Sequence, residues 1–294
     1  MITGASAGIG AALARVFADH DHDLVLIARR EGKLNALADE IAAAGRRRPL
    51  VLPVDLTQPD ATGRIKAELA AHALEPQYIV NSAGFGLVGN AVQLDQVEQF
   101  AMIDLNIRVL TELSLAFADT LGRLGGGILN VSSVAGFMPG PGMAVYYATK
   151  AYILSFSEAL NHELKPYGVR VTALCPGPVP TEFQARAGVP RVPFSNRSGL
   201  PRVVGSNSLT WTAEEVAVAG YAGLMRGRRV VVPGLGNKAV ILLTRLLPRR
   251  VFLEAVAHSQ LTRTKGSDRI LKKVVASAHP VAMRKAVLRE DAGE

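Results

Sequence analysis

The sequence predicts an α/β fold: a doubly wound parallel sheet with a helical, basic C-terminal tail. Three observations carry this expectation. Short aliphatic runs alternate with longer helical stretches throughout the first 232 residues. A glycine-rich turn runs straight into a helical segment at the start of the chain. Charge is divided unevenly, with 21 basic and 20 acidic side chains in residues 1–234 but 12 and 5 in residues 235–294. A main domain over 1–234 and a basic amphipathic tail over 235–294 are therefore expected.

The elements follow in order. Runs at 24–28, 50–54, 78–81, 128–131, 169–174 and 229–232 are short and aliphatic, as strands buried on both faces are. Between them, Ala11–His20, Leu34–Ala44, Ile65–Ala73 and Ile153–Leu164 place apolar residues at three- and four-residue intervals. Repeated strand–helix–strand order argues for a parallel, Rossmann-type sheet. Only Met1, Ile2 and Thr3 precede the glycine turn, so the first strand is either a stub or starts further upstream. The proline-rich stretch 176–210 is too long for an ordinary connection and is expected to be a lid or binding loop.

Composition excludes several classes. At 49% hydrophobic and 20% charged the chain is not disordered as a whole. The single cysteine, Cys175, cannot form an internal disulfide and is expected to act as a buried small hydrophobe. No Cys/His ligand spacing appears, and no metal site is expected.

Chemistry is carried by a few motifs. TGASAGIG (Thr3–Gly10) sets Gly4, Gly8 and Gly10 before a helix, where backbone N–H groups can approach a pyrophosphate. The same segment contains GxSxG around Ser6, the nucleophile elbow of α/β hydrolases, but no complete strand precedes it. At the end of the second strand, Ala28 is followed by Arg29 and Arg30 with no carboxylate, which suits a 2′-phosphate; two solvated arginines are the alternative. Tyr146 and Lys150 are four apart and share a helix face, so the ammonium is expected to lower the phenol pKa. Ser133 lies thirteen positions before Tyr146, at the end of a strand, where its hydroxyl can donate to a carbonyl or alkoxide.

Together these residues resemble a classical short-chain dehydrogenase/reductase over roughly residues 1–232. TGASAGIG resembles that family's cofactor loop, Asp55 in VDLT its adenine-contacting aspartate, and NSAG (Asn81–Gly84) its Asn-Asn-Ala-Gly, with Ser82 replacing an asparagine. Asn106, Ser133, Tyr146 and Lys150 resemble its catalytic tetrad, and PGPVPT (Pro176–Thr181) its nicotinamide loop. The resemblance implies Tyr146 as acid/base, Ser133 polarising the carbonyl, Lys150 also on the nicotinamide ribose, and Asn106 holding a relay water. It implies cofactor contacts from Gly4, Ser6, Gly8, Ile9, Gly10, Arg29, Arg30, Asp55, Leu56, Asn81, Ala83, Gly84, Pro176, Gly177, Val179 and Thr181. Asp55 capping a turn and Asn106 as a hydrogen bonder at a helix end are the plainer alternatives.

The expected function is NADP(H)-dependent interconversion of a carbonyl and an alcohol. A cofactor-binding regulatory or scaffold protein without turnover is the competing reading, and a hydrolase a more distant one. The substrate expected is a small carbonyl or alcohol with apolar character, since 176–210 supplies Phe183, Val189, Val192, Phe194 and Leu200. No nucleic-acid partner is expected, because the basic tail lacks stacking aromatics apart from Phe252. Its apolar run is broken by Arg245 and Pro248, short of the ~20 residues of a span. It is a candidate for contact with an anionic membrane surface or for packing on its own fold or a dimer mate. A cytoplasmic homo-oligomer is expected, peripheral at the membrane where the tail docks.

Overall fold

The computed structural model of the chain describes residues 1–187, 211–246 and 253–254. Among these, seven parallel strands form one sheet: β1 (Ile2–Thr3), β2 (Val25–Ala28), β3 (Leu50–Pro53), β4 (Tyr78–Asn81), β5 (Gly127–Val131), β6 (Arg170–Leu174) and β7 (Val230–Val231). Their spatial order is β3-β2-β1-β4-β5-β6-β7. Both residues of the first strand are paired on each side. Ile2 lies opposite Leu26 and Val80, Thr3 opposite Ile27 and Asn81, and both are buried.

The helices are α1 (Gly8–Asp19), α2 (Glu31–Ala43), α3 (Ala61–Ala71), α4 (Gln96–Ile103) and α5 (Leu110–Ala116). They continue with α6 (Ala118–Leu124), α7 (Ala144–Leu164), α8 (Glu182–Arg186), α9 (Ala213–Met225) and α10 (Leu235–Leu246). Two cores result, one on each face of the sheet. Along β2, Leu26 and Ala28 enter the core that contains Leu13 and Phe17 of α1, Leu37 and Ile41 of α2 and Val216 of α9. Val25 and Ile27 enter the other, with Ile65 of α3, Leu113 of α5, Leu121 of α6 and Leu160 of α7. The two-residue period of a strand explains why these runs are apolar at every position.

The expected strands lie within one or two residues of the observed ones. Helix α9 was not among the stretches singled out by periodicity, because its apolar residues are mostly small. A capping box marks it instead: the Thr212 hydroxyl accepts from Glu215 N, and the Glu215 carboxylate accepts from Thr212 N. Between α4 and α5 the chain widens into a π-helical turn over Asp104–Val109, an irregularity that often marks functional positions.

Part of the tail is ordered against the main domain. In α10, Asn237 and Ile241 are buried, whereas Leu235, Leu242, Leu243 and Leu246 are exposed. Ile241 therefore faces its own fold, as the packing alternative for the tail has it. Among the described residues no helix is long and apolar enough to cross a membrane. The expectations for Val189, Val192, Phe194 and Leu200, and for the tail beyond Leu246 apart from residues 253–254, lie outside the described residues.

Candidate active site

The strand order reverses between β1 and β4, and in open α/β sheets the crevice beyond the carboxyl ends of such strands binds ligands. The loops after β1, β4, β5 and β6 converge there. Gly4 takes φ +66° and packs so closely that an added Cβ would lie 2.8 Å from the backbone of Ala83. A Cβ on Gly10 would lie 2.3 Å from the Gly4 carbonyl oxygen, so only glycine lets α1 start this close beneath the turn. The N-cap of α1 is Ala7, which offers no side chain to the first-turn N–H groups. That positive helix end and the close backbone approach fit a pyrophosphate. Across the crevice, Thr181 stands against Gly8, with its Cβ 3.2 Å from where a glycine-8 side chain would begin.

The arginines after β2 separate in role. Arg30 donates to the Ser6 hydroxyl from Nε (3.2 Å) and Nη2 (2.9 Å), which ties the second strand's loop to the glycine turn. The same contact occupies the serine of the GxSxG pattern with a guanidinium, not a general base. Arg29 instead lies 3.9 Å from Asp55. Asp55 also accepts from Thr57 N (3.0 Å) and Thr57 Oγ1 (2.7 Å), so it does cap its turn. Burial works to raise its pKa, but the Thr57 bonds and the nearby Arg29 outweigh it and hold the carboxyl below its usual range.

Tyr146 and Lys150 come from α7, and Ser133 from the end of β5, where it caps a 3-10 turn by accepting from Ala135 N at 3.1 Å. Lys150 is buried; its Nζ donates to the Val131 carbonyl at 2.9 Å and sits 5.7 Å from the centre of the Tyr146 ring. Burial lowers its pKa to about 8. Burial likewise drives the Tyr146 pKa well above 10, and a hydrogen bond with Ser133 offsets only part of this. The expectation that the neighbouring ammonium would lower the phenol pKa is thereby corrected. Desolvation dominates, and the ammonium points at a backbone carbonyl.

Asn106 lies in the π-helical turn and is fully buried. Its Nδ2 donates to the Phe85 carbonyl (2.9 Å) and Thr149 Oγ1 (3.1 Å), and its Oδ1 accepts from Phe85 N (3.1 Å). Thr149 in turn donates to the Tyr146 carbonyl at 2.7 Å. The side chain thus fastens the loop after β4 to the tyrosine helix. Gly84 packs on this amide, with an added Cβ 2.9 Å from Asn106 Oδ1.

Other expected contacts have structural employment. Asn81 donates into the core, to Ser114 Oγ (3.1 Å) and Asn130 Oδ1 (2.9 Å), while Ile9 packs on the core and Leu56 and Val179 are buried. The Pro176 carbonyl accepts from Val134 N at 3.0 Å and from the Ser133 hydroxyl at 3.4 Å. Gly177 abuts Asn237 of α10, whose Nδ2 donates to the Pro233 carbonyl at 2.7 Å. Cys175 is buried and its thiol pKa is pushed up to about 12 by burial, as suits a packed hydrophobe.

Sequence reading missed two contributors, the Thr3 hydroxyl and the Val88 N–H. The Thr3 hydroxyl accepts from Ser82 N (3.1 Å) and Ala83 N (3.2 Å), joining β1 to the turn after β4. Phe183 of α8, one of the apolar residues expected from 176–210, lies with its ring centre 5.3 Å from that of Tyr146, tilted by 49°, and forms an apolar wall beside it. The Val88 N–H donates to the Ala187 carbonyl at 3.0 Å and holds that wall across the crevice. Polar residues in strands signal Thr3 only weakly; Phe183 was expected as an apolar contributor, and packing alone sets it beside Tyr146.

Residues 1–189 match the family model of the short chain dehydrogenases. Sulfoacetaldehyde reductase 2 of Chromohalobacter salexigens is 39% identical over 186 residues, 62% of this chain and 73% of that protein. A solved short-chain dehydrogenase from Sphingobium yanoikuyae, in complex with NADPH, is 36% identical with a TM-score of 0.68. That similarity covers 80% of this chain and 87% of the other. The bulky-bulky ketone specific alcohol dehydrogenase from Comamonas testosteroni is 30% identical with a TM-score of 0.65, over 84% of this chain and 94% of its own.

Proposed function

The chain belongs to the short-chain dehydrogenase/reductase family and is an oxidoreductase, and from that premise we propose that it reduces a carbonyl to an alcohol with NADPH, Tyr146 serving as the proton donor. One observation carries the reading: at the carboxyl end of β5 the Tyr146 side chain stands beside Ser133, with the buried Lys150 ammonium 5.7 Å from the centre of its ring. When bound in this crevice, NADPH supplies a hydride to the carbonyl carbon. The Tyr146 O–H gives its proton to the carbonyl oxygen, and the Ser133 hydroxyl donates a hydrogen bond to the same atom. The Lys150 ammonium stabilises the phenolate left behind. Asn106 and Thr149 hold Tyr146 in place through Phe85 and the Tyr146 carbonyl.

The glycine turn, the uncapped start of α1 and the Ser6–Arg30 pair support NADP as the cofactor. The NADPH complex of a 36% identical relative supports it too. Phe183 beside Tyr146 supports a substrate with an apolar flank. The test is NADPH consumption with a panel of aldehydes and ketones. Tyr146→Phe should lower turnover by about 10²–10⁴-fold while leaving NADPH binding intact. Turnover retained by that variant would refute the assignment.

A further inference from the structure

We propose that Glu182 is a built-in counter-ion for the 2′-phosphate receptor of this site, a receptor that includes Lys33, and that NADP(H) binds by exchanging its phosphate for that carboxylate. The proposal rests on the NADP reading above and adds two residues to it. Arg30 Nη1 donates to Glu182 Oε2 at 2.6 Å, while its Nε and Nη2 hold the Ser6 hydroxyl. The Lys33 ammonium donates to the other Glu182 oxygen, Oε1. One carboxylate is thus gripped by two cations beside a serine hydroxyl, as an oxygen-rich anion is read.

The position of this contact makes it more than an incidental surface pair. Arg30 and Lys33 open α2, whereas Glu182 opens α8 immediately after the loop that packs Thr181 on Gly8. Strands β2 and β6, which lead into these segments, are separated in the sheet by β1, β4 and β5. The ion pair therefore spans the crevice above the glycine turn, where the adenosine end of a dinucleotide would lie.

Chemistry then separates the two nicotinamide cofactors. A phosphate monoester carries about −1.5 to −2 charge and three acceptor oxygens, so it can replace a carboxylate on the same guanidinium and ammonium. The 2′-hydroxyl of NADH offers no charge and leaves Glu182 with its partners. The exchange is feasible because all three side chains are about half exposed, and exposed ion pairs are individually weak. Removing the carboxylate should accordingly favour only ligands that bear the 2′-phosphate.

The experiment is equilibrium titration of the full chain with NADPH, NADH, 2′,5′-ADP and 5′-AMP. Glu182→Gln should tighten NADPH and 2′,5′-ADP by about three- to tenfold and leave NADH and 5′-AMP within about twofold. Lys33→Gln should weaken the two 2′-phosphorylated ligands by about fivefold or more and spare the other two. Equal tightening of NADPH and NADH in Glu182→Gln would mean that Glu182 merely covers the crevice, and no tightening would mean that it does not compete; either overturns the proposal. A parent protein that binds 2′,5′-ADP no better than 5′-AMP would instead refute the NADP reading itself, and this inference with it. Both substituted side chains are exposed, and thermal melts matching the parent would establish that the variants fold.

Discussion

Lys150 shows at the scale of one residue how the site sets stability against chemistry. Its buried ammonium has a pKa lowered from 10.5 to about 8, a difference worth about 3 kcal/mol against the folded state at neutral pH. Lys150→Met removes that penalty but leaves the Val131 carbonyl without its donor, so the expected net gain is about 1–2 kcal/mol at pH 7. Between pH 8 and 10.5 the unfolded chain binds more protons than the folded one, and the stability of the parent protein rises with pH. The gap should therefore close towards pH 10, as denaturant melts at the two pH values would register, while carbonyl reduction is lost at both. A variant less stable than the parent at pH 7 would show that the ammonium is not a burden. The arginines allow a second residue-scale test. Arg30 grips Ser6, whereas Arg29 leans towards Asp55. Arg30→Ala should cut the preference for NADPH over NADH about tenfold or more, and Arg29→Ala should cut it less. Equal effects in a binding titration would contradict this division.

At the scale of elements, β1 is tied to its neighbours by a side chain as well as by its backbone. Thr3 adds two hydrogen bonds from the turn after β4 to the pairing with that strand. Thr3→Val keeps the shape and removes the acceptor, leaving two N–H groups unpaired, and should cost about 1–3 kcal/mol in a urea melt. A neutral outcome would mean that water replaces the hydroxyl. Gly10→Ala tests the join between β1 and α1. Its methyl would meet the Gly4 carbonyl, so the turn must open and NADPH affinity should fall by more than tenfold. The glycine spacing and the Tyr–Lys interval were readable in the sequence because both are local, fixed by a few neighbouring residues. The chain Asn106–Thr149–Tyr146 and the placing of Phe183 against Tyr146 were not. They join residues 37 to 43 positions apart, and only packing decides such pairs.

For the whole molecule, the boundary between domain and tail is less clean than the charge division at residue 234 suggests. Asn237 is wedged against Gly177 in the loop after β6, and Ile241 packs inward. A chain ending at Leu246 should keep NADPH affinity, whereas one ending at Gly234 should lose several-fold by loosening that loop; identical affinities would show that α10 only covers the surface. The exposed leucines of α10 and the net +7 of residues 235–294 bear on the membrane expectation, which vesicle flotation checks. Binding should require anionic lipid, weaken with salt and vanish on removal of residues 247–294. The sequence by itself determined the parallel α/β sheet, the glycine turn and the Tyr146–Lys150 face. Hydrophobic period and short motifs are properties of contiguous chain, written at fixed intervals. Only the tertiary structure decided that burial raises the Tyr146 pKa, that Arg30 and not Arg29 faces Ser6, and that Glu182 answers Arg30 and Lys33 across the crevice. Desolvation and ion pairing depend on which distant segments enclose a group, and spacing along the chain carries no record of that.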